Sequence, residues 1–302
     1  MMKFAFSTLG VPGMPMAEVA ALAADCGYQG VELRAAPDEP VHTGLGPADR
    51  QAVAREFERA GVEILAVCGY PRVAAPGDDT QVLQELGELI WLARDLGAPS
   101  VRVFPGGERE PATAAVDGTA DGATGATGDQ DQEQESGAVP ADGPVLADAA
   151  DARAARRLGR AAGTASGAGV RMLLETHDSH PTGAAVSRVL GPVGHRAAGA
   201  LWDVLHPWLA GEGPAATHAA LAPFLGHVQV KDVAGPDDLT PLRLGAGAVP
   251  LADCLAPLAP GTWLSWEYEK RWYPGAAELP ELLVPGRVHL ETLLAARAHG
   301  PA

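Results

Sequence analysis

The amino-acid sequence predicts a single domain over residues 1–302, folded as a closed barrel of eight parallel strands with intervening helices, a (β/α)8 barrel. Three observations predict this fold class. Short apolar runs alternate eight times with longer segments of helical periodicity, and glycines separate many of these units. The hydrophobic content of 47% is sufficient for the large core that such a barrel requires.

The predicted strands and helices follow one another in order along the chain. The strands begin at Lys3, Gly30, Val62, Ser100, Val170, Gly199, His227 and Thr262. Helical spacing is clearest over residues 16–25, 47–60, 80–96, 149–165 and 214–224. Parallel strands need crossover connections, which are usually helices, so the alternation indicates parallel pairing. An open doubly wound sheet is the main alternative, but no Gly-x-Gly-x-x-Gly motif follows the first strand, which favours the barrel.

Glycines mark the ends of several predicted helices. The phrases CGYQGVEL, AGVEIL, LGAPSVRV and SGAGVRML each place a glycine shortly before a predicted strand. Glycine adopts the left-handed conformation that ends many helices more easily than other residues do. The repeated glycines therefore support the number of strand and helix units.

Residues 107–143 interrupt this pattern. The segment is rich in Gly, Ala, Thr and acidic residues and has almost no large apolar residues. Such a composition cannot bury enough surface to offset the entropy lost on ordering, so it predicts a disordered, low-complexity insertion after strand four. A lid over a catalytic site is the functional alternative. A lid usually carries apolar residues with which to dock, so a spacer is favoured.

Charge and cysteine content narrow the classes of function. The formal net charge of -16 opposes binding to a nucleic-acid backbone. Three scattered cysteines form no metal-ligand spacing and are typical of reduced thiols in a cytoplasmic protein. The N-terminus lacks a long apolar signal region, and no segment approaches the roughly 18 apolar residues of a membrane span. We therefore expect a cytoplasmic protein with a small-molecule substrate, and leave open whether it forms a homo-oligomer.

Oxygen-bearing side chains stand at or near the ends of the last four predicted strands. They are Glu175 of LLETHD, Asp203 of LWDVLHP, Gln229 of HVQVKD and Glu267 of SWEYEK. The carboxyl ends of barrel strands converge on one mouth, so these residues are expected to surround one point. Carboxylates so close together would raise one another's pKa unless a cation held them, and hard divalent ions prefer oxygen ligands. The pattern predicts one bound divalent ion, either Mn²⁺ or Mg²⁺.

With these strand-end motifs the sequence resembles the xylose isomerase-like TIM-barrel superfamily, in its sugar phosphate isomerase/epimerase branch. The phrases that carry the resemblance are GVELR, VRVFPGG, LLETHD, LWDVLHP, HVQVKD and WEYEKRW, and they span nearly the whole chain except the insertion. The resemblance implies a metal held by a Glu after strand five, an Asp after strand six, a His on strand seven and a Glu after strand eight. By motif these positions are Glu175, Asp203, Gln229 and Glu267.

Strand seven departs from the family pattern. Members commonly read His-x-Lys-Asp there, whereas this chain has Gln229 before Lys231 and Asp232, with His227 two residues earlier. His227 and Gln229 point to the same face of the strand, so either could reach the ion. The spacing to Lys231 favours Gln229, and an amide oxygen would favour a hard ion while binding it more weakly than imidazole.

Five further residues are candidates for substrate binding. His206 follows Asp203 in an Asp-x-x-His arrangement that, by resemblance, contacts the metal-bound substrate. His177 lies on the loop after strand five, and Lys231 lies beside the proposed metal site. Arg102 and Glu32 could bind substrate from the opposite wall, although for each a structural ion pair is an equal expectation.

These residues suit proton abstraction next to a carbonyl, with Glu175 and Glu267 as acid and base. We therefore expect a metal-dependent isomerase or epimerase of a sugar or related keto-polyol that acts through an enediolate. The alternative is a dehydratase of the 3-dehydroshikimate or inosose type, a lyase that would begin from the same enolate. A barrel that has lost catalysis is a further alternative, supported by Gln229. A hydrolase like endonuclease IV, which shares the fold, is disfavoured by the net charge and by the few histidines around the mouth.

Overall fold

The computed structural model describes residues 1–107 and 144–299. Apart from its first residue, the insertion predicted over residues 107–143 lies outside the described residues, so its predicted disorder stays a prediction. Within the described residues the chain forms the expected closed barrel. The predicted fold class is confirmed.

Eight parallel strands close the barrel in the order β1, β2, β3, β4, β5, β6, β7 and β10, and β10 pairs again with β1. A short antiparallel hairpin, formed by β8 and β9, lies between the seventh and eighth barrel strands and was not expected from the sequence. The strands are β1 (Lys3–Ser7), β2 (Gly30–Arg34), β3 (Glu63–Arg72), β4 (Ser100–Phe104), β5 (Arg171–Glu175), β6 (Ala198–Asp203), β7 (Leu225–Val230), β8 (Val233–Gly235), β9 (Asp238–Pro241) and β10 (Trp263–Trp266).

The helices include all five predicted segments. They are α1 (Met16–Asp25), α2 (Pro47–Ala60), α3 (Asp79–Leu96), α4 (Pro144–Ala168), α5 (Gly183–Val193), α6 (Leu205–Leu209), α7 (Pro214–Leu221), α8 (Leu251–Leu255) and α9 (Leu279–His299). Two substantial helices, α5 and α9, were missed because Pro192 and Pro285 lie inside them, and an internal proline normally ends a helical pattern. In the described part of the chain, the search for a membrane-spanning helix found none that is sufficiently long and apolar.

The glycines predicted to end helices do so. Gly61 and Gly97 follow α2 and α3 with φ of 67° and 75°, in the left-handed region. Their backbone N–H groups donate to carbonyl oxygens of the last helical turn. Each helix therefore stops shortly before the next strand begins, at the face of the barrel opposite the mouth.

Alternation along the strands separates a packing face from a polar face. On β4, Val101 and Val103 belong to the hydrophobic core that joins the strands to the surrounding helices, and Arg102 between them points into the barrel. On β6, Ala200 and Trp202 belong to the same core, and Asp203 follows on the inner face. The period of two thus buries apolar side chains outside the sheet and brings polar ones together inside it.

A buried arginine of α4 donates hydrogen bonds to the loop that leads into α3. The guanidinium of Arg157 is fully buried and donates to the carbonyl oxygens of Val73, Ala75 and Gly77 at 3.1, 2.7 and 2.9 Å. Its Nε donates to Asp79 at 2.8 Å. Arg157 thereby satisfies backbone carbonyl groups of this loop that burial would otherwise leave unpaired.

Replacing Arg157 with Met should lower the free energy of unfolding by roughly 3 kcal/mol, because each buried acceptor left without a partner costs about 1–3 kcal/mol. Urea unfolding followed by circular dichroism measures the change. The matched control is Arg160→Ala, since Arg160 pairs with the same Asp79 from an exposed position and should change the midpoint little. Equal midpoints for wild type and Arg157→Met would show that this arginine does not stabilise the loop.

Candidate metal centre

Three carboxylates meet at the mouth of the barrel. Glu175 and Asp203 are the last residues of β5 and β6, and Glu267 directly follows β10. One oxygen atom of each lies within 4.8 Å of the others, and all three residues are buried. Residues separated by many positions in the sequence therefore meet because parallel strands end at the same face. A group of oxygen atoms at this spacing could hold one metal ion.

Two cationic side chains lie against these carboxylates. Arg102 Nη1 donates to Glu175 Oε2 at 3.0 Å. Lys231 Nζ lies 2.7 Å from Asp203 Oδ2, 2.7 Å from Glu267 Oε2 and 2.6 Å from Glu269 Oε1. Four ionised carboxylates would thus face two cations and leave two negative charges in excess. This excess matches the charge of one divalent ion.

Burial and neighbouring charges shift the pKa values of the cluster. Burial raises the pKa of Glu175 to about 8, and Glu267 adds to the rise that the nearby Arg102 opposes. Burial likewise raises the pKa of Asp203 to about 6, against the opposing effect of Lys231. The carboxylates raise the pKa of Lys231 well above its ordinary value although burial alone would lower it. Burial in this cluster therefore favours the protonated forms of Glu175 and Asp203 more than water would.

Gln229 lies beside the carboxylates on the inner face of β7. Its Nε2 donates to Glu32 Oε2 at 3.0 Å and to Glu267 Oε1 at 3.1 Å. Its Oε1 is buried and accepts no hydrogen bond from the described residues. Gln229 pairs in register with Asp203 on β6, so the amide lies beside the carboxylate cluster. The three carboxylates form a donor set suited to a hard divalent ion, and the buried amide of Gln229 lies next to it.

His227 and Glu32 form a buried pair inside the barrel. His227 Nε2 lies 2.6 Å from Glu32 Oε1, and Ser265 Oγ donates to Glu32 Oε2 at 2.6 Å. Burial alone would raise the pKa of Glu32, but His227, Ser265 and Gln229 hold it at about 2. Both oxygens of Glu32 are thus engaged by neighbouring side chains. The Nε2 atom of His227, the alternative ligand on strand seven, is likewise engaged.

Two histidines line the mouth next to the carboxylates. The rings of His177 and His206 lie 4.1 Å apart, and a ligand atom from each lies within 4.8 Å of a carboxylate oxygen of Glu175. His206 Nε2 is 3.8 Å from Asp203 Oδ2. A tight turn places His177 there: the backbone N–H groups of His177 and His180 each donate to the other's carbonyl oxygen, with Asp178 at φ 46° between them.

Several residues at this site escaped the sequence analysis. Glu269 contacts Lys231, and the only signal for it is the two-residue spacing from Glu267. Phe104 and Tyr70 have rings 5.7 Å apart, and the guanidinium of Arg102 lies 3.8 Å from the ring centre of Phe104. The Phe104 ring in turn lies 4.4 Å from that of His177. The mouth therefore has an aromatic side next to its charged side.

A cleft of about 610 Å³ lies away from this mouth, near the beginnings of β5 and β6. One of its basic residues, Arg171, donates to the carbonyl oxygens of Arg196 and Phe224 at 3.2 and 2.9 Å. The lining contains no carboxylate. The chemistry of the site therefore belongs to the strand ends, where the titratable groups converge, and not to the cleft.

Comparison with solved structures finds metal-binding and sugar-converting proteins of the same fold. A D-psicose 3-epimerase from Clostridium cellulolyticum H10, solved with D-tagatose, has a TM-score of 0.73 and 13% identity over 97% of this chain and 99% of its own. The probable 3-DHS dehydratase AsbF from Bacillus anthracis has a TM-score of 0.71 and 16% identity over 96% and 99% of the two chains. The IOLI protein, solved with a zinc atom, has a TM-score of 0.71 and 15% identity over 96% and 98%.

The sequence comparisons define the family more directly. A search of curated proteins finds no significant match. The family model described as xylose isomerase-like TIM barrel matches residues 20–284, which is most of the chain. The resemblance inferred from the strand-end motifs is thereby confirmed, and the chain belongs to the xylose isomerase-like TIM-barrel family.

Proposed function

We propose that the chain is a divalent-metal-dependent isomerase or epimerase that moves a proton in a sugar or related keto-polyol. The observation that carries this proposal is the group of three buried carboxylates with oxygen atoms within 4.8 Å of one another. Structural similarity to a D-psicose 3-epimerase and membership of the family support it. Mn²⁺ and Mg²⁺ are the proposed ions, because the donor set contains only oxygen.

In this proposal Glu175, Asp203, Glu267 and the Oε1 atom of Gln229 would hold the ion. When bound, a divalent ion supplies a positive charge that polarises a substrate carbonyl and makes the neighbouring C–H bond more acidic. The side chains of the protein carry out the remaining steps. Arg102 and Lys231 hold Glu175 and Glu267 in place through contacts of 3.0 and 2.7 Å.

Glu175 and Glu267 are the proposed acid and base. One carboxylate takes the proton from the carbon next to the carbonyl, which gives an enediolate, and the other returns a proton. A return to the opposite face of the same carbon gives an epimer, and a return to the adjacent carbon gives an aldose–ketose isomer. Burial raises the pKa of Glu175 to about 8 without an ion, and a bound cation would lower this pKa and leave the carboxylate ionised to take the proton.

His206 and His177 are proposed to bind substrate hydroxyls, since they line the mouth beside Glu175 and Asp203. Arg102 and Lys231 contact carboxylates of the site. In this proposal they mainly hold the acid and the base in position, and binding of substrate is their secondary role. Glu32 remains a weaker substrate-binding candidate, because its oxygens already bind His227, Gln229 and Ser265.

A dehydratase is the second candidate function. It would begin with the same proton abstraction and then expel a hydroxyl group from the next carbon. The fold shared with the probable 3-DHS dehydratase AsbF supports this candidate. The two reactions differ in their products, because the lyase product has lost water and the isomerase product has the composition of the substrate.

Metal affinity is predicted to rise with pH between about 6 and 8, where Asp203 and Glu175 lose their protons. The ion binds the ionised carboxylates, so protons compete with it below these pKa values. The affinity should increase by roughly tenfold per pH unit for each proton released and become constant above the higher pKa. Calorimetric titration with Mn²⁺ in buffers of different ionisation enthalpy measures both the affinity and the protons released. A pH-independent affinity without proton release would contradict this interpretation.

The variant Asp203→Ala should lose the ion while the barrel stays folded. Asp203 is proposed to supply one of four ligands, and its removal leaves the helices and the outer core unchanged. Elemental analysis after dialysis against Mn²⁺, with circular dichroism to check folding, measures the outcome. Asp238→Ala is the control, since this aspartate is exposed. Equal metal content in wild type and Asp203→Ala would show that the ion is not held there.

Glu175→Gln and Glu267→Gln should each reduce turnover of a keto-sugar by about 10² or more, the usual scale for a positioned acid or base. In heavy water the wild type should exchange the hydrogen next to the carbonyl or place deuterium at that carbon in the product. A panel of ketoses and cyclic keto-acids, analysed by mass spectrometry and NMR, tests both statements and separates isomerase from dehydratase products. A product that keeps all of its original hydrogen would indicate a hydride shift instead.

A further inference from the structure

Glu32 is the centre of a fully buried hydrogen-bond network inside the barrel. Its Oε1 accepts from His227 at 2.6 Å and lies 3.7 Å from Cys68 Sγ. Its Oε2 accepts from Ser265 at 2.6 Å and from Gln229 at 3.0 Å. These partners come from β3, β7 and β10, and the exposed fraction of each is 1% or less. Glu32 is therefore fixed from three strands at once.

The network determines which end of the Gln229 amide faces which way. An amide has a donor end and an acceptor end of nearly equal size, so its orientation depends on its neighbours. The two side chains that contact the Gln229 nitrogen, Glu32 and Glu267, both present carboxylate oxygens. An amide oxygen in that position would meet two acceptors and be repelled. The nitrogen must face them, and the oxygen is turned away and has no hydrogen-bond partner among the described residues.

Of the two carboxylates that accept from the Gln229 nitrogen, Glu32 is the one whose role is not shared with the proposed metal site. Glu267 also contacts Lys231 at 2.7 Å and belongs to the carboxylate cluster. Glu32 belongs to no such cluster among the described residues, and its contacts with His227 and Ser265 keep its oxygens where the Gln229 nitrogen reaches them. Buried partners that orient a metal ligand are commonly almost as important as the ligand itself.

We propose that Glu32 is a positioning residue that holds the Gln229 nitrogen, so that the amide oxygen is presented to the divalent ion. This inference rests on the metal site proposed above. It explains how an amide can serve at the strand-seven position, where the family resemblance implies a histidine. An imidazole at residue 229 would ligate through one ring nitrogen and donate its other N–H to an acceptor, whereas an amide needs the acceptor to hold its nitrogen so that its oxygen is free to ligate.

The test is a double-mutant cycle on Mn²⁺ affinity, with calorimetric titration of wild type, Glu32→Met, Gln229→Met and the double variant. Glu32→Met should weaken Mn²⁺ binding by about 10-fold to 100-fold when residue 229 is Gln, the usual range for loss of an orienting partner. In the Gln229→Met background the same change should alter affinity by less than about threefold, because no ligand remains at residue 229 to be oriented. Gln229→Met alone should bind Mn²⁺ more weakly than wild type, because it lacks the amide oxygen.

The control is Ser265→Ala, which removes another hydrogen bond to the same Glu32 oxygen without removing the acceptor of the Gln229 nitrogen. Its Mn²⁺ affinity should stay close to that of wild type. If Glu32→Met does not fold, Glu32→Gln replaces it in the cycle, because it preserves the side-chain volume. Its loss of Mn²⁺ affinity should again be larger when residue 229 is Gln, but by a smaller factor.

Equal losses in the two backgrounds would assign Glu32 a purely structural role and overturn the inference. That outcome would leave the metal site intact, since wild type would still bind Mn²⁺. A wild-type protein that binds no Mn²⁺ at all would instead contradict the proposed metal site, and the inference with it.

Discussion

The mouth of the barrel is organised by an excess of negative charge held away from water. Glu175, Asp203 and Glu267 are buried with oxygen atoms within 4.8 Å of one another, and Arg102 and Lys231 supply the nearest opposing charges. Burying charge is unfavourable unless partners compensate for the lost hydration. The two cations compensate only in part. The remaining negative charge is what makes this end of the barrel a candidate site for a cation.

The rest of the fold makes that charge tolerable. The outward faces of the strands carry apolar side chains such as Val101 and Trp202, which pack against the surrounding helices. Stability therefore comes from the layer between sheet and helices, and the inner face can carry polar residues without loss of the core. Loops at the mouth are supported from outside the site, for example by Arg157, whose buried guanidinium binds three carbonyl oxygens. The unfavourable cluster thus rests on a scaffold that does not depend on it.

The sequence predicted the strands and the residues that end them, because these depend on short-range patterns. Glycines that end helices, such as Gly61 and Gly97, can be recognised from a few neighbouring residues, and so can apolar strands that end in one polar residue. The pairing of Glu32 with His227 could not be predicted in this way, because 195 positions separate them and both are individually unremarkable. For Glu32 the sequence left substrate binding and a structural ion pair as equal expectations, and the structure places it in a buried network with His227, Ser265 and Gln229. Whether a polar side chain faces a substrate or another side chain depends on strand register, which no local pattern encodes.

Gln229 shows how the sequence motif and the structure each contribute to the interpretation of one residue. Its place in the motif identified it as the residue at the ligand position, and its difference from histidine raised the question whether a ligand remained there at all. The structure supplies two facts that the motif lacks, the carboxylates that contact the amide nitrogen and the buried oxygen that has no partner in the described chain. A neutral oxygen donor adds no charge to the cluster, and like imidazole it leaves the negative excess to the carboxylates. Glutamine can therefore replace histidine in charge, provided that its orientation is fixed. A buried carboxylate outside the cluster, already bound by two other side chains, is a physical means of fixing it.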